Sequence, residues 1–374
     1  MPMRQKICVS AASKLALAAP RKIRTVLGLD GFVDAIIHVV DKRHSASSFD
    51  RLQTIAEFSQ RIAAAAGHSS NYEFVVTLQK LGGNGPIMAN ALAAAGFPVT
   101  YVGSLGYPNI HPVFEEMGKH AALLSLSEPG YTDAVEFNDG KLMLGKHHAL
   151  AEVNWENLQT RVGADSFTHL LEEAQLIGLV NWTMLPHMTS IWNHLLKEIL
   201  PQLTRHHRRL FVDLADPEKR TRADLRAALC TLTQFQSYLD VTLGLNLKEA
   251  EQVAKVLGLP HPSPGEAALE STAVAIRQRL NIDTVVLHPR HGAAAANAAG
   301  TASFSGPFVN EPKISTGAGD HFNAGFVSGQ VLGLDLAEAL AVGCGTSGYY
   351  VRHAASPTAP QLAAFVRDLP PAQK

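Results

Sequence analysis

From residue 24 to its end the chain alternates short apolar runs with amphipathic stretches, and that rhythm constrains the fold more than any composition figure does. Thr25 to Leu29, Val99 to Val102, Leu176 to Val180, Leu210 to Leu214, Val241 to Leu243 and Thr284 to Leu287 read as strands buried on both faces. Between strands of this kind, "FDRLQTIAEFSQRIAAAAG" and "LKEAEQVAKVLG" repeat apolar residues at three and four, the spacing of a helix with one buried face. Parallel strands need such crossovers, so the pattern predicts an α/β fold with a mostly parallel sheet covered by helices. The 374 residues, 46% of them hydrophobic, suit one large α/β domain or two ordinary ones.

One segment breaks the rhythm. "GYTDAVEFNDGKLMLGK" alternates around Asn138-Asp139-Gly140, a hairpin signal, and a hairpin inserted in an α/β chain must lie off the main sheet as a flap over a site. The alanine-rich "HGAAAANAAG" reads as a small-residue strand or turn, and the first twenty residues as a short lead-in to the first strand. A net charge of -1 argues against nucleic acid as the main partner. Three scattered cysteines suit a reducing cytoplasm, no run approaches a membrane span, and no HExxH-like spacing marks a structural metal.

Three motifs carry chemistry. In "ISTGAGDHFNAGF", Gly317, Ala318 and Gly319 stand where a helix should start, and a helix N-terminus offers unpaired amides to an anion. Asp320 beside them makes sense if the anion is a phosphate being transferred and the carboxylate takes a proton from the incoming hydroxyl; the alternative is that Asp320 merely caps the helix. In "LGGNGPIMANALAAAG", Gly82 and Gly83 permit a tight turn and Asn84 offers a donor and an acceptor, a ligand contact or a plain strand-to-helix turn. In "GLNLKEAEQVA", Asn246 and Glu249 share a helix face, where they either order the waters of a magnesium ion or form a capping box. "GLDGFVDAII" adds Asp30 and Asp34, costly in an apolar stretch unless they bond sugar hydroxyls or shape turns, and "FVDLADPEKR" adds Asp213 and Asp216. The literal GxGxxG of "GCGTSG" follows a helical pattern capped by Asp335 and Glu338, so it is read as helix packing and not as a dinucleotide turn.

Together these pieces resemble the ribokinase-like carbohydrate kinases, the PfkB family. "GGNGPIMANALAAAG" is similar to the glycine-rich N-terminal signature, "STGAGDHFNAGF" to the C-terminal one, and Asn246 and Glu249 to the N-x-x-E motif between them. The resemblance implies a single kinase domain over 1–374, of three-layer α/β/α architecture, with a small β lid whose strands fall within 31–45 and 128–150. It implies transfer of the γ-phosphoryl of ATP to a hydroxymethyl group of a sugar or sugar-like acceptor. Asp320 is then the general base, the amides of Gly317, Ala318 and Gly319 the anion hole, and Asp34, Gly82, Gly83 and Asn84 the acceptor contacts. Gly292 and Thr316 join the nucleotide site, and Asn246 and Glu249 hold Mg2+ through water. A nucleoside kinase, ADP as donor and a non-catalytic sugar or nucleotide sensor are the alternatives. His288 stands where the family has glycine, Tyr107 where many members have an aspartate, and Ile314 where ribokinases have a potassium-binding aspartate, which argues against K+ activation. The reading is of a cytoplasmic enzyme, and because lids in the family often meet across a dimer, a homodimer through the lid is the assembly considered.

Overall fold

The computed structural model describes residues 2–204, 207–262 and 265–372. Its nine-stranded sheet runs, edge to edge, Gly300–Ser305, Gly292–Asn297, Thr284–Leu287, Asp240–Leu245, Arg209–Asp213, Leu176–Val180, Thr25–Leu29, Val99–Gly103 and Ala121–Ser125. From Thr284–Leu287 to Ala121–Ser125 every pairing is parallel, and the other edge closes with an antiparallel hairpin. Alternate residues feed opposite helix layers: Val285 and Leu287 join the core on one face and Val286 that on the other. The alanine run behaves likewise as a buried strand, with Ala294 and Ala296 on one side and Ala293 and Ala295 on the other.

The strands read from the sequence are present, with Arg209–Asp213 one residue earlier than expected and Asp240–Leu245 longer. The supposed N-terminal lead-in is instead a helix, Met3–Leu17, packed on the helices Ala359–Arg367 and Leu336–His353. Its buried residues are Cys8, Ala11 and Ala12, too small and too mildly apolar to mark a helical stripe. Ser10 Oγ and Lys14 Nζ each reach Glu338 at 2.6 Å. "GCGTSG" lies inside the Leu336–His353 helix, which begins with the expected capping box of Asp335 and Glu338.

A second, five-stranded sheet stands off the first, in the order Phe49–Arg51, Phe32–Arg43, Gly130–Phe137, Gly140–Lys146, with Phe74–Gly82 paired along Phe32–Arg43. The hairpin turns through Asn138 and Asp139, as its sequence suggested. Two strands of this sheet lie outside the expected 31–45 and 128–150 windows. Phe49–Arg51 falls in the stretch whose spacing predicts a helix, but the helix starts only after Thr54, whose side chain and Glu57 close a capping box. Phe74–Gly82 is mostly exposed and so lacks the alternation that betrays a half-buried strand. Both long strands join the body of the fold along the edge where the parallel strands of the main sheet end, beside the interior strand Thr25–Leu29. Thr25–Leu29 passes through Asp30 and Gly31 into Phe32–Arg43, and Phe74–Gly82 passes through Gly83 into the helix Asn84–Ala94, with Phe32 opposite Gly82.

Candidate active site

The two glycine motifs meet at this edge. Gly83 caps the Asn84–Ala94 helix at φ 97°, a conformation that glycine alone adopts without strain, and offers no side chain to the first amides. Asp30 does so from the end of the neighbouring strand: Asn84 N–H donates to its Oδ2 and Gly85 N–H to its Oδ1, both at 2.9 Å. Asn181 Nδ2 donates to Oδ2 at 2.7 Å, and the Tyr101 hydroxyl lies 3.2 Å from Oδ1. Asp30 is fully buried, and burial pushes its pKa up despite these donors. Asp34 projects from the second sheet onto Gly82, where any Cβ would come within 2.5 Å of its carboxylate. Burial raises its pKa too, opposed by Lys80 and the Thr132 hydroxyl.

The helix Ala318–Val331 also starts from a positive-φ glycine, Gly317 at 90°. Asp320 sits in its first turn, where the helix dipole should lower a carboxyl pKa. Burial prevails: Asp320 is pushed up to about 7, helped by the Asp30 and Glu249 carboxylates and opposed by its hydrogen bond from Asn84. That bond, Asn84 Nδ2 to Asp320 Oδ1 at 2.9 Å, joins the two motifs across 236 residues of chain. Among the described residues no protein acceptor faces the Gly317 and Gly319 amides, whereas Ala318 N–H donates to Ser315 O at 3.2 Å. His321 and Tyr350 brace the turn from below: the His321 ring lies 2.8 Å from Gly317 O and stacks on Tyr350, whose hydroxyl donates to Thr316 O.

On the far side of Asp320 lies a cavity of about 690 Å3. Asn246, His288, Gly292, Ala318, Gly319 and Ser347 contribute to its wall. The structure thus brings Asn246, Gly292, Ala318 and Gly319 together, but Thr316 and Glu249 are absent from the wall. Glu249 turns inward. Its Oε2 accepts Asn246 N–H at 2.8 Å and its Oε1 accepts Asp216 N–H at 2.9 Å, while Asn246 Oδ1 accepts Glu249 N–H at 3.0 Å. The capping box weighed as an alternative is therefore formed. Glu249 and Asp213 are buried, and both pKa values are raised, first by desolvation.

Glu249 and Asp320 raise the pKa of Asp213, and Glu249 raises that of Asp320, so negative charge is crowded at this corner. No group of three His, Cys, Asp or Glu side chains among the described residues is set to ligate one directly. The donor set therefore fits an ion that arrives on phosphate oxygens and keeps its waters, the usual habit of magnesium.

Three residues named in the sequence take parts that it did not specify. Asp30, held open for sugar hydroxyls, has its oxygens spent on protein donors. Asp213 was noted without a task; it accepts Asn323 Nδ2 at 2.8 Å and so pins the Asp320 helix one turn further on. His288 stacks on Phe322 and walls the cavity, with its pKa lowered to about 4 by burial. Each depends on partners far away in sequence, which no local pattern encodes.

The sequence profile described as prokaryotic ketohexokinase matches residues 7–369. The chain belongs to that family. Within it, the ketohexokinase of the archaeon Haloferax volcanii is 33% identical over 362 residues, covering 96% of this chain and 95% of the relative. Its fold is shared with solved ribokinases. The one from Arabidopsis thaliana, complexed with ribose and ATP, superposes with a TM-score of 0.63 at 15% identity, covering 92% of this chain and 98% of that one. The one from Thermotoga maritima gives 0.61 at 16% identity, covering 92% and 99%. Membership in the ketohexokinase family makes this chain a sugar kinase, and the fold expected from the two signatures is the one observed.

Proposed function

We propose that this sugar kinase transfers the γ-phosphoryl group of ATP to a hydroxymethyl group of a ketohexose. The observation that carries the reading is the position of Asp320, a buried carboxylate pushed up to about 7, bonded to the Gly-Gly-Asn turn and next in the chain to Gly319 of the cavity wall. A base so tuned is ionised in part at neutral pH yet holds an abstracted proton well. The acceptor lies over Gly82 and Gly83, between Asp34 and Asn84. ATP occupies the cavity, its terminal phosphate toward Gly317 and Gly319 and its body toward Gly292 and Ser347. The acceptor oxygen attacks the γ-phosphorus, its proton passes to Asp320, and the bond to the bridging oxygen breaks to release ADP.

The chain's own contribution is position and fixed charge. The Gly317 and Gly319 amides point where negative charge collects on the transferred group, and an amide fixed in advance costs no reorganisation there. Ala318 contributes mainly by holding the turn, since its amide is bonded to Ser315. The second sheet forms the outer wall and excludes water that would otherwise take the phosphoryl group. Mg2+, when bound, would offset phosphate charge, with Asn246 of the cavity wall ordering its waters and Glu249 behind it holding Asn246 in place. The ketohexose assignment follows the name of the Haloferax volcanii relative, and ATP follows the ligand of the Arabidopsis thaliana ribokinase.

The test measures nucleotide consumption by the wild type and Asp320→Asn, with Mg-ATP and then Mg-ADP, across ketoses, aldoses, sugar phosphates and nucleosides. Fructose-dependent ATP turnover that vanishes in the variant supports the reading. Turnover with a nucleoside but no ketose would replace the acceptor, and equal turnover in the variant would remove Asp320 from the base role.

A further inference from the structure

Asp30 touches neither of the two proposed substrate pockets, yet it is the most heavily bonded carboxylate at the site. Its strand lies between Leu176–Val180 and Val99–Gly103; Asn181, just past the first, donates to its carboxylate, and Tyr101, within the second, donates to its main-chain O at 2.6 Å and lies 3.2 Å from Oδ1. Two more donors are the first amides of the Asn84–Ala94 helix. A buried carboxylate is an expensive way to finish a helix, because an ordinary Ser, Thr or Asn at the N-cap satisfies the same amides without burying charge. Here the N-cap is Gly83, which has no side chain, so the cap comes from the central strand and fastens the helix start to the sheet. The space is reserved for that bond: a Cβ on Gly83 would come within 2.8 Å of Asp30 Oδ2, and one on Gly85 within 2.6 Å of Oδ1.

We propose that Asp30 is a positioning residue for phosphoryl transfer, which acts by fixing the backbone of Asn84 so that the Asn84 amide holds Asp320 in its working orientation. The chain of bonds is short: Asp30 Oδ2 to Asn84 N–H at 2.9 Å, then Asn84 Nδ2 to Asp320 Oδ1 at 2.9 Å. The helices carrying Asn84 and Asp320 pack directly on each other, so a shift at the start of one is felt at the start of the other. The inference rests on the reading of Asp320 as the base. It adds that the aim of that base is set from the central strand and not from its own helix alone.

The experiment is a double-mutant cycle on the full-length enzyme, using Asp30→Asn, Asn84→Ala and the pair, with kcat, both KM values and Tm measured for each. Asp30→Asn should lower kcat roughly tenfold or more, the scale on which small misplacements act, while KM for ATP and sugar stays within about threefold. In the Asn84→Ala background the same change should alter kcat by less than about twofold, while still lowering Tm. Additive losses in kcat would overturn the proposal and leave Asp30 a structural cap. A rise in sugar KM at constant kcat would overturn it as well, by making Asp30 a substrate contact. If Asp30→Asn does not fold, Asn181→Gly, which removes the 2.7 Å donor to Asp30 Oδ2 and suits the positive φ of that position, replaces it in the cycle, and an unchanged kcat there overturns the proposal. Asp320→Asn is measured alongside. An active Asp320→Asn defeats the base reading, whereas an inactive one with additive losses in the cycle defeats only the role of Asp30.

Discussion

The helices Asn84–Ala94 and Ala318–Val331 begin alike and are used in opposite ways. Each starts after a glycine with φ near 90°, and neither has a side-chain cap of its own. A helix start is an anion site in both cases. The first is filled by the protein's own Asp30, so its amides are satisfied and its work is to hold Asn84. The second leaves the amides of Gly317 and Gly319 without a protein acceptor among the described residues and borders a cavity. One local structure thus serves as a fastening or as a receptor, according to whether a carboxylate from elsewhere in the chain occupies it.

The largest expected effect breaks the comparison at Asp320. Asp320→Asn should reduce kcat by roughly 10²- to 10⁴-fold, the usual worth of a positioned base, with ATP binding by calorimetry nearly unchanged. It should also raise Tm at pH 8. A carboxyl whose folded pKa is raised to about 7 loses stability as pH climbs from its unfolded value to that point, and above it bears the full cost of its buried charge. A fall in Tm at pH 8 would contradict the burial argument. Next, Gly83→Ala and Gly317→Ala sharpen the contrast. Each should cost about 1–3 kcal/mol of stability in a denaturant titration, because both force an alanine to positive φ. Gly317→Ala should raise KM for ATP by roughly tenfold or more through displaced amides, whereas Gly83→Ala, which crowds Asp30, should lower kcat while KM for ATP stays within about threefold. Equal rises in KM for ATP from both would erase the distinction between fastening and receptor.

These residues also show what the sequence could disclose. Glycines followed by Asp320 or Asn84 were visible because turn and helix-start chemistry is local. So was the sheet, whose strands are fully apolar runs such as Leu176–Val180. The use of each helix start was not visible, because it depends on Asp30 arriving from 54 residues away. The same holds for Glu249, whose capping box and inward turn satisfy a local spacing that equally suits a metal's waters. The Met3–Leu17 helix and the Phe74–Gly82 strand were missed for a different reason: one buries only small residues and the other buries almost nothing, so neither leaves a periodic trace.

Two smaller effects test the receptor side. With Asp320 at about 7, kcat/KM should be flat at alkaline pH and fall about tenfold per pH unit below that value. A limb near the ordinary carboxylate value would mean that the base is better hydrated than its burial indicates. Glu249→Gln should raise the magnesium concentration needed for half-maximal rate by a few-fold, with little change in kcat at saturating metal. An unchanged magnesium titration would leave Glu249 with its capping role alone.

The two long strands of the second sheet have consequences for redesign. Phe32–Arg43 leaves the main sheet just after Asp30 and Gly31, and Phe74–Gly82 passes through Gly83 into the Asn84–Ala94 helix. Both junctions are therefore tied into the same knot of hydrogen bonds. A sheet transplanted from another sugar kinase to alter acceptor preference would not behave as an interchangeable module if cut at Phe32 and Gly82. The graft boundaries belong outside the knot, so that the donor's equivalents of Asp30, Gly31, Gly83 and Asn84 travel with its strands.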